Sequence, residues 1–288
     1  MCNSKEKQNT GKESILKGSA TILVDETLMP IIEDQVAVFE SKYDAKINLV
    51  SKSESELLLS LFKEKSGIAV LTRNLTAKET DLFAQKKITP KITKFATDAI
   101  ALISNKSNND TLVDLKNIIE FMQGKSNSNI KGLVFDNPNS STVHYMNTLA
   151  GIQAIPEKGV YSFKTNDEVI KFVAQNEGMI GVLGVNWLSQ PMPEMQQYVD
   201  KINILSVKGI SDKNYYVPSQ NNIAEGKYPL VRDLYIINGQ GYSGLGMGFA
   251  SFVAGDIGQR IVLKSGLLPV RVPGRKINVR NEISNEKK

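Results

Sequence analysis

From residue 17 onward, short apolar stretches alternate with longer segments whose apolar positions recur with helical spacing. Residues 19–25 (SATILVD) read as a strand, and 27–42 as a helix with Pro30 in its first turn, where proline is tolerated. A second strand is expected at 45–51 (AKINLVS). The helix after it, 53–65, would be capped by Ser53 with Glu56 at the capping-box position. Residues 68–71 give a third strand, and Thr76 opens a helix running through 86. This β-α-β-α-β-α run predicts a parallel sheet with helices packed on it.

The pattern changes at 92–104 (ITKFATDAIALIS), a long β-rich stretch after which a second alternating unit begins. Helices are expected there over 114–123, 140–150 and 165–176, and strands over 131–135 and 179–185. Residues 202–207 (INILSV) would carry the chain back to the first unit, where 230–237, 248–264 and 267–272 supply a strand, a helix and a last strand. The expected architecture is α/β, with two lobes joined by two crossover strands. Lobe 1 takes 18–98 and 206–288, lobe 2 takes 99–205, and 1–17 form a flexible tether.

The strand-to-helix turns hold the candidate chemistry. In lobe 1 these are Asp25-Glu26-Thr27, residues 51–55 and Thr72-Arg73-Asn74, which a parallel sheet gathers at its carboxyl edge, where open α/β folds bind ligands. Lobe 2 contributes VFDNPNSSTVHYM (134–146). There Pro138 stops the strand, Ser140 is a good N-cap, and Ser140, Ser141 and Thr142 set hydroxyls beside free N–H groups at a helix's positive end. An ordinary cap is the plainer reading of any one such turn. Four of them facing one cleft describe a clamshell for a small anion.

Composition narrows the class further. A chain of 288 residues with 41% hydrophobic positions can build a sizeable core, and no apolar run is long enough to span a bilayer. The net charge of +5 arises from 35 basic and 30 acidic residues dispersed along the chain, which gives no footprint for nucleic acid. Cys2, the single cysteine, excludes an internal disulfide; ahead of a polar stretch through Ser14 it looks like the acylation site of a bacterial lipoprotein.

Gly239 to Gly244 (GQGYSG) has dinucleotide-loop spacing, but no acidic residue closes a following strand, so no nucleotide cofactor is expected. His144 is the only histidine, one turn beyond Ser140, where it either lines the cleft or packs behind it. No metal-ligand or nucleophile-elbow spacing appears, so neither metal nor catalysis is expected. Trp187, Met192 and Met195 read as lobe surface and core.

Several segments together carry a resemblance: GSATILVDETLMP, EKSGIAVLTRNLTAKE, NSSTVHYM, EGMIGVLGVNWL, KYPLVRDLYIIN and GFASFVAGDIGQRIVLKSGLLPV. The last two are the most specific, through Tyr228-Pro229, Arg232, Gly258-Gln259 and Gly266 to Pro269. From Gly18 to Arg280 the chain resembles the phosphate-type periplasmic substrate-binding proteins of ABC transporters, including divergent lipoprotein members from Bacteroidetes.

The resemblance implies a type II periplasmic-binding fold that closes on a dehydrated oxyanion outside the cytoplasm, as a monomer, and hands it to a membrane permease. Carried over by motif, Thr27, the backbone of Leu28, Ser53, Asn139, Ser140, Ser141 and Thr142 would surround the ligand. Two charges depart from the family pattern. Arg73 stands where the family has an acidic residue, and Asp136 where it has an arginine. The expectation is an exchange across the cleft, in which Arg73 neutralises the anion while Asp136 pairs with it or accepts the phosphate proton. A sensor or interaction module on the same scaffold, or a binder of another oxyanion, is the alternative.

Overall fold

A computed structural model describes residues 13–63, 67–125, 130–189 and 191–272. The chain begins with β1 (Lys17–Asp25), a short 3-10 turn (Glu26–Leu28), α1 (Met29–Lys42), β2 (Asp44–Lys52), α2 (Glu54–Lys63), β3 (Ile68–Leu71) and α3 (Ala77–Gln85). The long strand β4 (Lys91–Asn105) leads into β5 (Leu112–Asp114), α4 (Leu115–Met122), β6 (Gly132–Phe135), α5 (Ser141–Ala150), β7 (Val160–Ser162), α6 (Asn166–Gln175) and β8 (Met179–Gly184). Short elements follow: α7 (Asn186–Ser189), α8 (Gln196–Val199), β9 (Ile202–Ile204), β10 (Ser206–Lys208) and α9 (Gln220–Ala224). The chain closes with β11 (Val231–Asn238), α10 (Leu245–Ala254), α11 (Asp256–Lys264) and β12 (Leu268–Pro269).

The main sheet runs β2-β1-β3-β11-β4-β8-β6-β7, and β4 is its hinge. Residues Lys91 to Ala99 of β4 pair antiparallel with β11, and Ile100 to Ser104 pair antiparallel with β8, so one strand serves both halves. β1, β2 and β3 are parallel as expected, but β11 is antiparallel to its neighbours and makes the sheet mixed. The expected strand at 202–207 divides at Leu205, because β9 pairs with β4 whereas β10 pairs with β5. Residues 206–208 thus stay with 112–114, and the return to the first half runs through 209–230.

The motif residues of the C-terminal third hold this arrangement. Tyr228 is buried, and its hydroxyl donates to the Ile100 carbonyl (2.7 Å), where β4 passes between halves. Gln259 donates to the carbonyls of Phe95 and Val253 (2.9 Å each). The single helix expected over 248–264 is two, because extended Gly255 ends α10 and starts α11. A Cβ on Gly258 would lie 2.4 Å from the Val253 carbonyl oxygen, so only glycine lets α11 fold back this tightly. Around them Phe39 packs edge-on against Phe249 and Phe252, over a core that includes Ile22, Val24, Leu28 and Phe95. Each such side chain contributes roughly 1.5–3 kcal/mol of burial.

Candidate functional site

The cleft floor is built at the ends of β1 and β6. Asp25 ends β1 and organises the turn after it: its Oδ1 accepts from the Thr27 N–H (3.0 Å) and the Thr27 hydroxyl (2.7 Å). Leu28 closes that turn and buries its side chain in the core. Opposite, Ser140 caps α5 by accepting from the Val143 N–H (3.3 Å), and its hydroxyl donates to Asp136 (2.5 Å). The hydroxyls of Thr27 and Ser141 meet across the cleft at 3.2 Å. The Thr27 carbonyl accepts from Asn186 Nδ2 (3.1 Å) and Trp187 Nε1 (2.9 Å). Thr27 therefore joins both halves, and Trp187, expected on the lobe surface or in the core, is part of that clasp.

The cation among these hydroxyls is Arg232, on β11. Its Nε and Nη2 bind Asp98 Oδ2 at 2.9 Å, a cross-strand pair in register on β11 and β4. Nη1 donates to the hydroxyls of Ser141 (3.0 Å) and Thr142 (3.4 Å), and Nη2 to that of Thr27 (3.2 Å). Both Arg232 and Asp98 are buried. A buried charge needs a partner; an Asp within the apolar run of 92–104 and an Arg within that of 230–237 were the signal for this pair.

Arg73 is tied to carboxylates of its own half. Its Nε donates to Glu54 (2.6 Å), and its two terminal nitrogens hold both Glu79 carboxylate oxygens at 2.9 Å each. Glu79 completes a capping box with Thr76 on α3, and Arg73 draws its carboxyl down to about 2. The partners of Asp136 are Ser140 and Asn166 (3.2 Å). The expected Arg73–Asp136 exchange is replaced by two separate clusters, because Glu54 and Glu79 are nearer counter-charges for Arg73.

Two other expected residues make no bond to the floor hydroxyls. Asn139 is exposed in the turn, its N–H donating to Asn137 Oδ1 (2.9 Å). Ser53 is buried and its carbonyl accepts from the Leu57 N–H (2.8 Å), but its hydroxyl makes no bond among the described residues, so the capping box expected with Glu56 does not form. His144 sits at the cleft mouth, exposed, with Nδ1 3.3 Å from Glu54 of the other half.

The floor holds more carboxyls than cations. Burial pushes Asp25 up. It also pushes Asp136 to about 6, and burial together with the neighbouring Asp136 and Asp25 carries Glu26 to about 7. One oxygen each of Asp25 and Glu26 has no partner among the described residues. Near neutral pH the floor can thus both accept and donate protons. Cys2 lies outside the described residues. Among the described residues no helix is long and apolar enough to cross a membrane, and no cluster of metal-binding side chains occurs.

At the GQGYSG loop, Glu13 occupies the start of α10, accepting from the Leu245 N–H (2.8 Å) and the Tyr242 hydroxyl (3.1 Å). The chain's own carboxylate stands where a pyrophosphate would approach.

A mixed sheet hinged on one strand, with hydroxyl-bearing helix starts meeting across a cleft, defines a two-lobed binding protein. The chain belongs to the family of the PBP superfamily domain, whose family model matches residues 8–256. Its fold is similar to that of a Clostridium perfringens protein described as a phosphate ABC transporter substrate-binding protein with bound phosphate (20% identity, TM-score 0.70, covering 88% of this chain and 100% of that one). It is also similar to an ABC-type phosphate transport receptor from Vibrio cholerae (14%, TM-score 0.66, 88% and 100%). PstS from Borrelia burgdorferi matches at 21% identity and a TM-score of 0.56, covering 89% of this chain and 100% of that one. No curated protein matches the chain.

Proposed function

We propose that this protein is an extracytoplasmic receptor that captures inorganic phosphate or a similar tetrahedral oxyanion by lobe closure and passes it to an ABC permease, without catalysis. The observation that carries the reading is the convergence of Thr27, Ser141 and Thr142 hydroxyls on the Arg232 guanidinium, with donors drawn from both halves. The helix α5 start adds its positive end. The phosphate-binding descriptions of the similar structures support the same ligand class.

The carboxyls of Glu26 and Asp136 then set selectivity. When those carboxyls are ionised, an ion that arrives with a proton can donate to them, whereas fully ionised sulfate would leave facing acceptors unpaired; at a pH below about 6, where both hold protons, that discrimination is lost. In this reading Arg232, rather than Arg73, is the countercharge, and the lobes are 18–98 with 206–288 and 99–205, except that residues 206–208 remain paired with 112–114 of the second lobe. The chain acts as a monomer, and Cys2 is its lipid anchor at the membrane surface. Calorimetric titration with phosphate, with sulfate as control, tests the ligand; small-angle scattering with and without saturating phosphate tests closure. A radius of gyration unchanged by bound phosphate would remove the clamshell step. Mass spectrometry of protein extracted from native membranes would find acyl chains on Cys2.

A further inference from the structure

We propose, resting on the oxyanion reading above, that the preferred ligand is a monosubstituted oxyanion, a phosphomonoester or phosphonate with a short polar organic group. Its head would lie at the Thr27–Ser141–Arg232 cluster and its substituent in a cavity beside it. The cavity has a volume of about 410 Å³ and opens off Ser141, between α5 and the turn after β3. That size lies within the roughly 300–1,000 Å³ of sites that hold small organic molecules, whereas a tetrahedral oxyanion has only five heavy atoms. The two halves already touch at Thr27 and Ser141, so the cavity persists with the cleft floor closed.

The helix geometry sets floor and cavity side by side, with Ser141 common to both. Ser141, Tyr145, Thr148 and Leu149 are spaced four, seven and eight residues along α5, hence on one face. The first turn of that face presents its hydroxyl to Arg232; the next two turns line the cavity with an aromatic ring, a threonine and a leucine. Thr72 and Arg73 form the opposite wall. Beside the exposed His144 at the mouth, buried Glu54 binds Arg73 and lies 3.3 Å from the imidazole Nδ1, so the rim combines a carboxylate acceptor with an imidazole. A hydroxylated substituent of a few carbons matches this mixture of apolar wall and polar rim.

The test is calorimetric titration with inorganic phosphate, glycerol 3-phosphate and methylphosphonate, on the unaltered chain and on Thr148→Trp. Thr148 is exposed, makes no hydrogen bond to the floor groups, and as Trp would project an indole into the cavity and obstruct it. The expected result is glycerol 3-phosphate binding at least about tenfold tighter than phosphate, a gain that Thr148→Trp removes while phosphate stays within about twofold. Phosphate binding with both organic ligands silent, or an ester affinity indifferent to Thr148→Trp, overturns this inference and leaves the oxyanion reading standing. Silence with all three overturns both.

Discussion

The floor and the mouth of the cleft each hold one arginine, and the two are partnered in opposite ways. Arg232 at the floor directly contacts a single carboxylate, Asp98, with Asp25 and Asp136 farther off, and spends its remaining donors on neutral hydroxyls from both halves. Arg73 at the mouth is bracketed by two carboxylates from its own half, Glu54 and Glu79, and also donates to the Asn74 carbonyl. An arginine surrounded by hydroxyls keeps positive potential available to an incoming anion, because hydroxyls can turn to serve a ligand. One saturated by carboxylates is a structural tie. Position in a motif therefore says less about anion binding than the partners already present.

Removing each arginine would break that contrast most visibly. Arg232→Ala strands Asp98 in the core and should cost about 3–5 kcal/mol in denaturant unfolding. Replacing the pair together, Arg232→Met with Asp98→Leu, should recover most of that stability while phosphate binding stays lost. Recovery of binding as well would show that Arg232 serves the fold alone.

The next largest effect is electrostatic. Asp136 has its carboxyl raised from the ordinary 3.8 to about 6 by burial, so the folded state holds its proton more tightly than the unfolded state. Stability consequently falls as pH rises through that window and stays lower above it. Asp136→Asn removes the penalty, and Asn166, whose Oδ1 has no partner among the described residues, can turn to accept from the new amide. The variant should be more stable at pH 8 by up to about 3 kcal/mol, with the difference vanishing below pH 4, as read from thermal melts at both values.

Smaller effects are expected at the mouth and beyond. Arg73→Ala should cost about 1–2 kcal/mol through loss of its hydrogen-bonded, partly buried pairs, yet leave phosphate affinity within about twofold. Glu13→Ala, which opens the start of α10, should cost about 0.5–1 kcal/mol, measured by chemical denaturation.

Strand and helix periodicity made most of the fold legible, because β1, β3, α5 and α6 carry their own caps and apolar faces. The misplacements arise where tertiary partners decide. Residues 202–207 look like one strand until β4 and β5 compete for their halves, and 248–264 read as one helix because Gly255 and Gly258 resemble ordinary helix interruptions.

At the site, the hydroxyls of Thr27, Ser141 and Thr142 were readable as a donor cluster, and the structure brings them together. Arg232 was visible as a motif residue but not as the cation of the cleft, since its partner Asp98 lies 134 positions away. Two helix starts show the same limit. The glycine-rich loop has ligand-like spacing and is filled by Glu13, whereas the plainer Ser140 turn faces the cation.

The most direct test of the account is calorimetric titration of phosphate into the unaltered chain near pH 6.5, beside the Thr27→Val, Ser141→Ala double variant. The account predicts saturable one-site binding that the double variant weakens by about a hundredfold, as expected for two hydroxyl bonds of about 1–1.5 kcal/mol each. Binding undiminished in the double variant, or absent from the unaltered chain, would contradict it.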